Sequence, residues 1–104
     1  MTVYGFMRKS GITANLKGYE ATRRAIEICI EDPDVKMTAL YYIIANEFKV
    51  TSHAVERNIR HAISKGFKKM DHVLKESVFS TFTEAPTNAE YLKQVAHAIR
   101  NGLI

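Results

Sequence analysis

Residues 39–65 read Ala-Leu-Tyr-Tyr-Ile-Ile-Ala-Asn-Glu-Phe-Lys-Val-Thr-Ser-His-Ala-Val-Glu-Arg-Asn-Ile-Arg-His-Ala-Ile-Ser-Lys. Two helical patterns lie within this stretch, over 39–48 and 53–65, separated only by Lys49 to Ser52. The first buries Leu40, Ile43, Ile44 and Phe48 and takes Thr38 as its cap; the second buries Val55, Ile59, Ala62 and Ile63 and takes Ser52. Ala45 supplies the small position where the two helices cross. Val50 joins Ile44, Phe48 and Val55 in the expected core. Short helices joined by such a turn form either a plain helical hairpin or a DNA-reading helix-turn-helix. The turn departs from many helix-turn-helix motifs in carrying Lys49 where glycine is common.

The faces of the second helix favour the DNA reader. With Val55 set at zero, Ile59, Ala62 and Ile63 fall at about 40°, −20° and 80°. Arg60, His53, Ser64, Arg57 and His61 then spread from about 140° to 240° on the far side, with Glu56 at the border near about 100°. The apolar stripe is narrow, and the outer face consists of groove-reading residue types. Arginine makes bidentate contacts with guanine, glutamate accepts from cytosine N4, and histidine and serine donate to phosphates. The bland alternative is a solvated face, and Glu56 with Arg60 forms an i,i+4 pair that suits it.

The charge distribution points the same way. The chain has 104 residues, 15 Lys and Arg against 11 Asp and Glu, and a net charge of +4. Residues 49–69 hold Lys49, Arg57, Arg60, Lys65, Lys68 and Lys69 against Glu56 alone, a local +5 inside a remainder of −1. Residues 8–24 carry +4 and residues 25–48 carry −4. A basic block in an otherwise neutral chain indicates an anionic partner. Lys65, Lys68 and Lys69, just past the helix, are candidate phosphate neighbours.

The rest of the chain is helical too, with sparse glycine and proline. A short helix over 2–10 places Val3, Phe6 and Met7 inward and stops at Gly11; Gly5 weakens it. A helix over 19–31 buries Tyr19, Ile26, Cys29 and Ile30, has Thr22 as a polar interruption, and ends at Asp32-Pro33. Gly66 is expected in a left-handed stop after residue 65. A helix over 70–82 turns Met70, Val73, Leu74 and Val78 inward. Pro86 precedes Thr87-Asn88-Ala89-Glu90, a capping box that opens the last helix. That helix buries Tyr91, Leu92, Val95, Ala96 and Ile99 and stops at Gly102. Six helices and no strand give an all-α domain, with the helix-turn-helix at its centre.

Composition excludes several classes. Hydrophobic residues make up 46% and charged residues 25%, as in a folded soluble protein rather than a disordered one. Cys29 is the only cysteine, so neither an intrachain disulfide nor a multi-cysteine zinc site is available, and it reads as core. His53 and His61 lack further ligands at metal spacing, and no metal or other cofactor is expected. His72 and His97 read as ordinary surface positions. Tyr41 and Tyr42 read as core or subunit contact. There is no apolar run of membrane-spanning length and no signal peptide, so a cytoplasmic location is expected. No nucleophile with a base at motif spacing, paired carboxylates or phosphate-cradling loop supports an enzyme. No solvent-facing aromatic platform supports RNA binding.

Val55-Glu56-Arg57-Asn58-Ile59-Arg60-His61-Ala62-Ile63 resembles the recognition helix of the C-terminal effector domain of the stage-zero sporulation response regulator A family. Lys17-Gly18-Tyr19, Arg24-Ala25-Ile26, Ile44-Ala45 with Phe48, and Pro86-Thr87-Asn88 followed by Glu90 extend the likeness in one order from about Gly11 to Arg100. The resemblance implies a six-helix effector domain of a bacterial transcription regulator that binds a defined element of promoter double-stranded DNA. It places Glu56 and Arg57 at base edges and Arg60 and His61 at or near the backbone, with tandem or dimeric association on adjacent sites. Two departures stand out. Ala54 occupies a position where sporulation members carry arginine, and 104 residues leave no room for an N-terminal receiver domain. An alternative function, in another class, is a non-catalytic protein-interaction module on the same fold.

Overall fold

A computed structural model describes residues 1–104. Six helices follow in order: α1 Val3–Lys9, α2 Gly18–Glu31, α3 Met37–Phe48, α4 Ser52–Phe67, α5 His72–Phe79 and α6 Asn88–Arg100, with no strand. The chain is all-α, as its periodicity predicts. α2 lies at the centre and packs against both α4 and α6, while α3 lies across α4. A single cluster of 24 buried residues draws on every helix. Phe79 of α5 stacks on Tyr91 of α6 with ring centres 5.2 Å apart, and the edges of Phe67 and Phe6 close on that pair.

Local chemistry explains most boundaries. Thr87 accepts from the Glu90 N–H and the Glu90 carboxylate accepts from the Thr87 N–H, so the predicted capping box is complete. Gly11 and Gly102 take positive φ of 81° and 66° where stops are predicted. Asp32 follows α2, in agreement with the Asp-Pro reading.

Other expectations are corrected. Thr51, not Ser52, caps α4: its backbone is extended and its hydroxyl accepts from the Ala54 N–H at 3.0 Å, which frees Ser52 to begin the helix. Lys36, with no side-chain cap bond, precedes α3, so Thr38 lies within the helix. Gly66 stays inside α4 because the Ser10–Ile12 segment crosses there; a Cβ at position 66 would overlap the Ile12 side chain. α5 is shorter than residues 70–82, beginning after the Asp71 cap and stopping at Phe79. Met70 is buried ahead of that helix, and Val73 is 75% exposed rather than inward. Ile43 and Phe48 are also exposed, because α3 buries only the side that carries Leu40, Ile44 and Ala45, and Val50 is exposed in the turn beyond it.

Candidate nucleic-acid interface

The buried stripe of α4 sets the direction of everything else on it. Val55, Ile59, Ala62 and Ile63 are each at most 2% exposed. With that stripe sealed, His53, Arg57, Arg60, His61, Ser64 and Lys65 are all exposed, and Lys68 and Lys69 are exposed just beyond the helix. Glu56 is half-buried and accepts from Arg60 Nε at 3.1 Å. The i,i+4 pair is therefore formed, and one of the two candidate arginines is tethered while Arg57 has no carboxylate within ion-pair distance.

Contacts from α2 and α6 hold the two helices of the motif in place. Asn88, buried at the start of α6, donates through its side-chain amide to the Glu56 carbonyl at 3.2 Å and to the Tyr41 hydroxyl at 3.0 Å. One side chain thus ties α6 to both helices of the motif. Gly18 at the start of α2 abuts the backbone of Asn58, where no Cβ fits. Arg24 of α2 grips Glu47 of α3 in a two-pronged pair of 2.8 and 2.9 Å. That hydrogen bond holds the Glu47 carboxyl below its ordinary value and raises the Arg24 guanidinium above its own. Burial is the main cause that raises the Tyr41 hydroxyl, and the Asn88 bond opposes it.

The turn between the helices is Lys49 to Thr51. Lys49 adopts φ 57° and ψ 45°, the left-handed region that a glycine would occupy without strain. The N–H groups of Lys49 and Val50 both close onto the Ala45 carbonyl. The sequence departure at Lys49 is thus accommodated by the backbone, and the turn keeps its shape.

Grooves flank the outer face of α4. Arg57, Arg60, His61 and Ser64 form one wall of a groove of about 590 Å³, and Ala85, Pro86, Thr87 and Asn88 form the other. A second groove, of about 480 Å³, runs from Ser64 past Lys68 and Lys75 to Glu84. His53 and Glu56 line neither groove, and of the basic run Lys65, Lys68 and Lys69 only Lys68 lines one. A third groove, of about 470 Å³, lies on the other side of Arg57 and includes Lys17.

Sequence reasoning missed Lys17, Lys75 and the 85–87 segment as neighbours of this face. Lys75 could not be found from spacing, since its ammonium is drawn over the Phe67 ring at 4.7 Å. Gly18, next to Lys17, permits the close approach of α2 to α4 that sets Lys17 beside this face.

The remaining candidates sit elsewhere. Cys29 is fully buried, and burial pushes its thiol up despite Lys93 and Arg100 nearby. His72 and His97 are at the surface. Tyr41 is half-buried but Tyr42 is 65% exposed; with Tyr4 it leaves aromatic surface that the sequence reading did not expect, though neither ring lines a groove beside α4. No three His, Cys, Asp or Glu side chains gather into a metal-holding group, and no helix is long and apolar enough to cross a membrane.

A scaffold helix, a three-residue turn and a second helix with a sealed apolar stripe and a basic outer face define a helix-turn-helix protein. A family model described as sporulation initiation factor Spo0A C terminal matches residues 3–99. The chain belongs to that family of DNA-binding effector domains, which act in sporulation and transcription regulation. The match also takes in α1, ahead of the Gly11 at which the motif resemblance begins.

Proposed function

We propose that residues 1–104 act as one helical effector domain that binds double-stranded promoter DNA sequence-specifically in the bacterial cytoplasm. In this reading α4 enters the major groove and α3 braces it across the backbone. Arg57 makes the bidentate contact with a guanine edge, and Glu56 reaches a neighbouring base while steering Arg60. Arg60, His61, His53 and Ser64 lie along the phosphates, with Lys65, Lys68 and Lys69 adding a screened, sequence-independent attraction. Lys68 has the best position of the three, since it shares a groove with Ser64. No cofactor and no catalytic residue enter this function.

The observation that carries the reading is the contrast within α4: its apolar stripe is sealed while its cations remain at the surface. A solvated face that served only packing would mix Glu and Lys more evenly than the face holding Arg57, Arg60, His53 and His61. The test is selection from a randomised duplex pool at fixed salt. An enriched motif is expected. Absence of any motif contradicts sequence reading and favours the interaction module, in which α6 pairs with a partner protein.

A further inference from the structure

Two apolar side chains outside the core, Phe48 and Val50, lie together at one end of the recognition helix. Phe48 is 38% exposed and Val50 47% exposed. Both emerge at the turn, beside the first turn of α4, where Ala54 is half-buried. Together with Lys17 and Arg57 they line the groove of about 470 Å³. Ala54 and Arg57 are three residues apart and so are neighbours on the helix surface.

The first turn of a helix in the major groove comes closest to the base edges. The apolar group that bases present there is the 5-methyl group of thymine, which alanine and other small apolar side chains contact. We propose that Ala54 and Val50 seat a thymine methyl group, with Phe48 behind them, so that the target carries a T·A pair beside the base pair read by Arg57. The seat rests on the proposal that α4 enters the major groove. Its rim decides between occupants. Lys17 and Arg57 are cations at the edge of the apolar floor, which suits a methyl group framed by phosphates. An apolar protein segment would gain nothing from the two cations at its edge and would partly desolvate them. An arginine at position 54 would bring a donor fork that selects guanine; alanine leaves a methyl-sized contact instead.

The test uses the full chain and the duplex enriched from the randomised pool. Each thymine is replaced in turn by deoxyuridine, which removes the methyl group and leaves the hydrogen-bonding edges unchanged. At one thymine the replacement is expected to weaken binding by about fourfold, the worth of burying one methyl group. That penalty is expected to vanish in both Val50→Ser and Ala54→Gly, as a double-mutant cycle requires of a direct contact. Val50→Ser alters an exposed turn side chain and leaves the helix interior intact, so it keeps the cycle readable if Ala54→Gly weakens α4. An enriched duplex indifferent to deoxyuridine at every position would overturn the thymine seat alone, as would a penalty that persists undiminished in both variants. A pool yielding no enriched duplex would overturn the DNA-reading proposal itself and the seat with it.

Discussion

Gly18 in α2 and Asn58 in α4 approach so closely that a Cβ at position 18 would overlap the Asn58 carbonyl oxygen. The same Cβ would lie 2.8 Å from the Ala62 Cβ. Both obstacles are rigid parts of α4, so the helices must separate if position 18 gains a side chain. Gly18→Ala is expected to destabilise the fold by about 1–3 kcal/mol, in line with overpacking. Urea unfolding checks this; an unchanged midpoint would show that α2 can shift freely against α4.

Lys49 makes the opposite case. Its left-handed backbone carries a penalty that glycine escapes, on the order of 1–2 kcal/mol. Glycine also adds freedom to the unfolded chain, which offsets about 0.4–1 kcal/mol of that gain. Lys49→Gly is therefore expected to raise stability by about 0.5–1 kcal/mol, as read from thermal unfolding. A loss would mean that the lysine side chain contributes something its exposed position does not reveal.

Tyr91 is fully buried, and no protein group hydrogen-bonds its hydroxyl. Burial raises its pKa well above the ordinary tyrosine value. The folded chain keeps Tyr91 protonated where the unfolded chain ionises it, so stability present below about pH 10 is lost as pH rises further, by up to about 1.4 kcal/mol per pH unit. Tyr91→Phe keeps the stacked ring and removes the orphan hydroxyl. It is expected to be neutral or stabilising by about 1 kcal/mol at neutral pH and to flatten the alkaline decline. A clear loss of stability at neutral pH would point to a bonded hydroxyl.

Lys68→Ala tests the electrostatic part of the interface. Binding to all duplexes is expected to weaken by a similar factor, and the slope of log affinity against log salt to fall by about one unit. An unchanged slope would place Lys68 away from the phosphates.

Much of the fold was legible because it is written in local patterns. The stripe Val55, Ile59, Ala62, Ile63 and the Thr87–Glu90 box need only helical spacing and one turn of backbone, and both appear as read. The errors fall where distant segments decide. Gly66 has the composition of a helix stop, but Ser10–Ile12 crosses it and uses the missing side chain for contact. Ile43 and Phe48 have the hydrophobicity of core residues, yet α3 buries only its Leu40, Ile44 and Ala45 side; Val50 falls in the turn beyond it. Thr51 and Ser52 are chemically near-equal caps, and the extended backbone at Thr51 chooses between them. At the candidate interface the α4 face was readable from angles alone. Its second wall, from Ala85 to Asn88, was not, because that segment lies more than twenty residues away and reads in sequence only as the start of α6.

The central claim is that Arg57 reads a base rather than simply attracting the duplex. The most direct measurement compares wild type and Arg57→Ala, at one stated salt concentration, on the enriched duplex and on a scrambled duplex of the same length. The account expects a loss of about 1–3 kcal/mol on the enriched site, relaxed preference at one base pair, and a much smaller loss on the scrambled duplex. An equal loss on both would make Arg57 a phosphate contact and contradict the assignment.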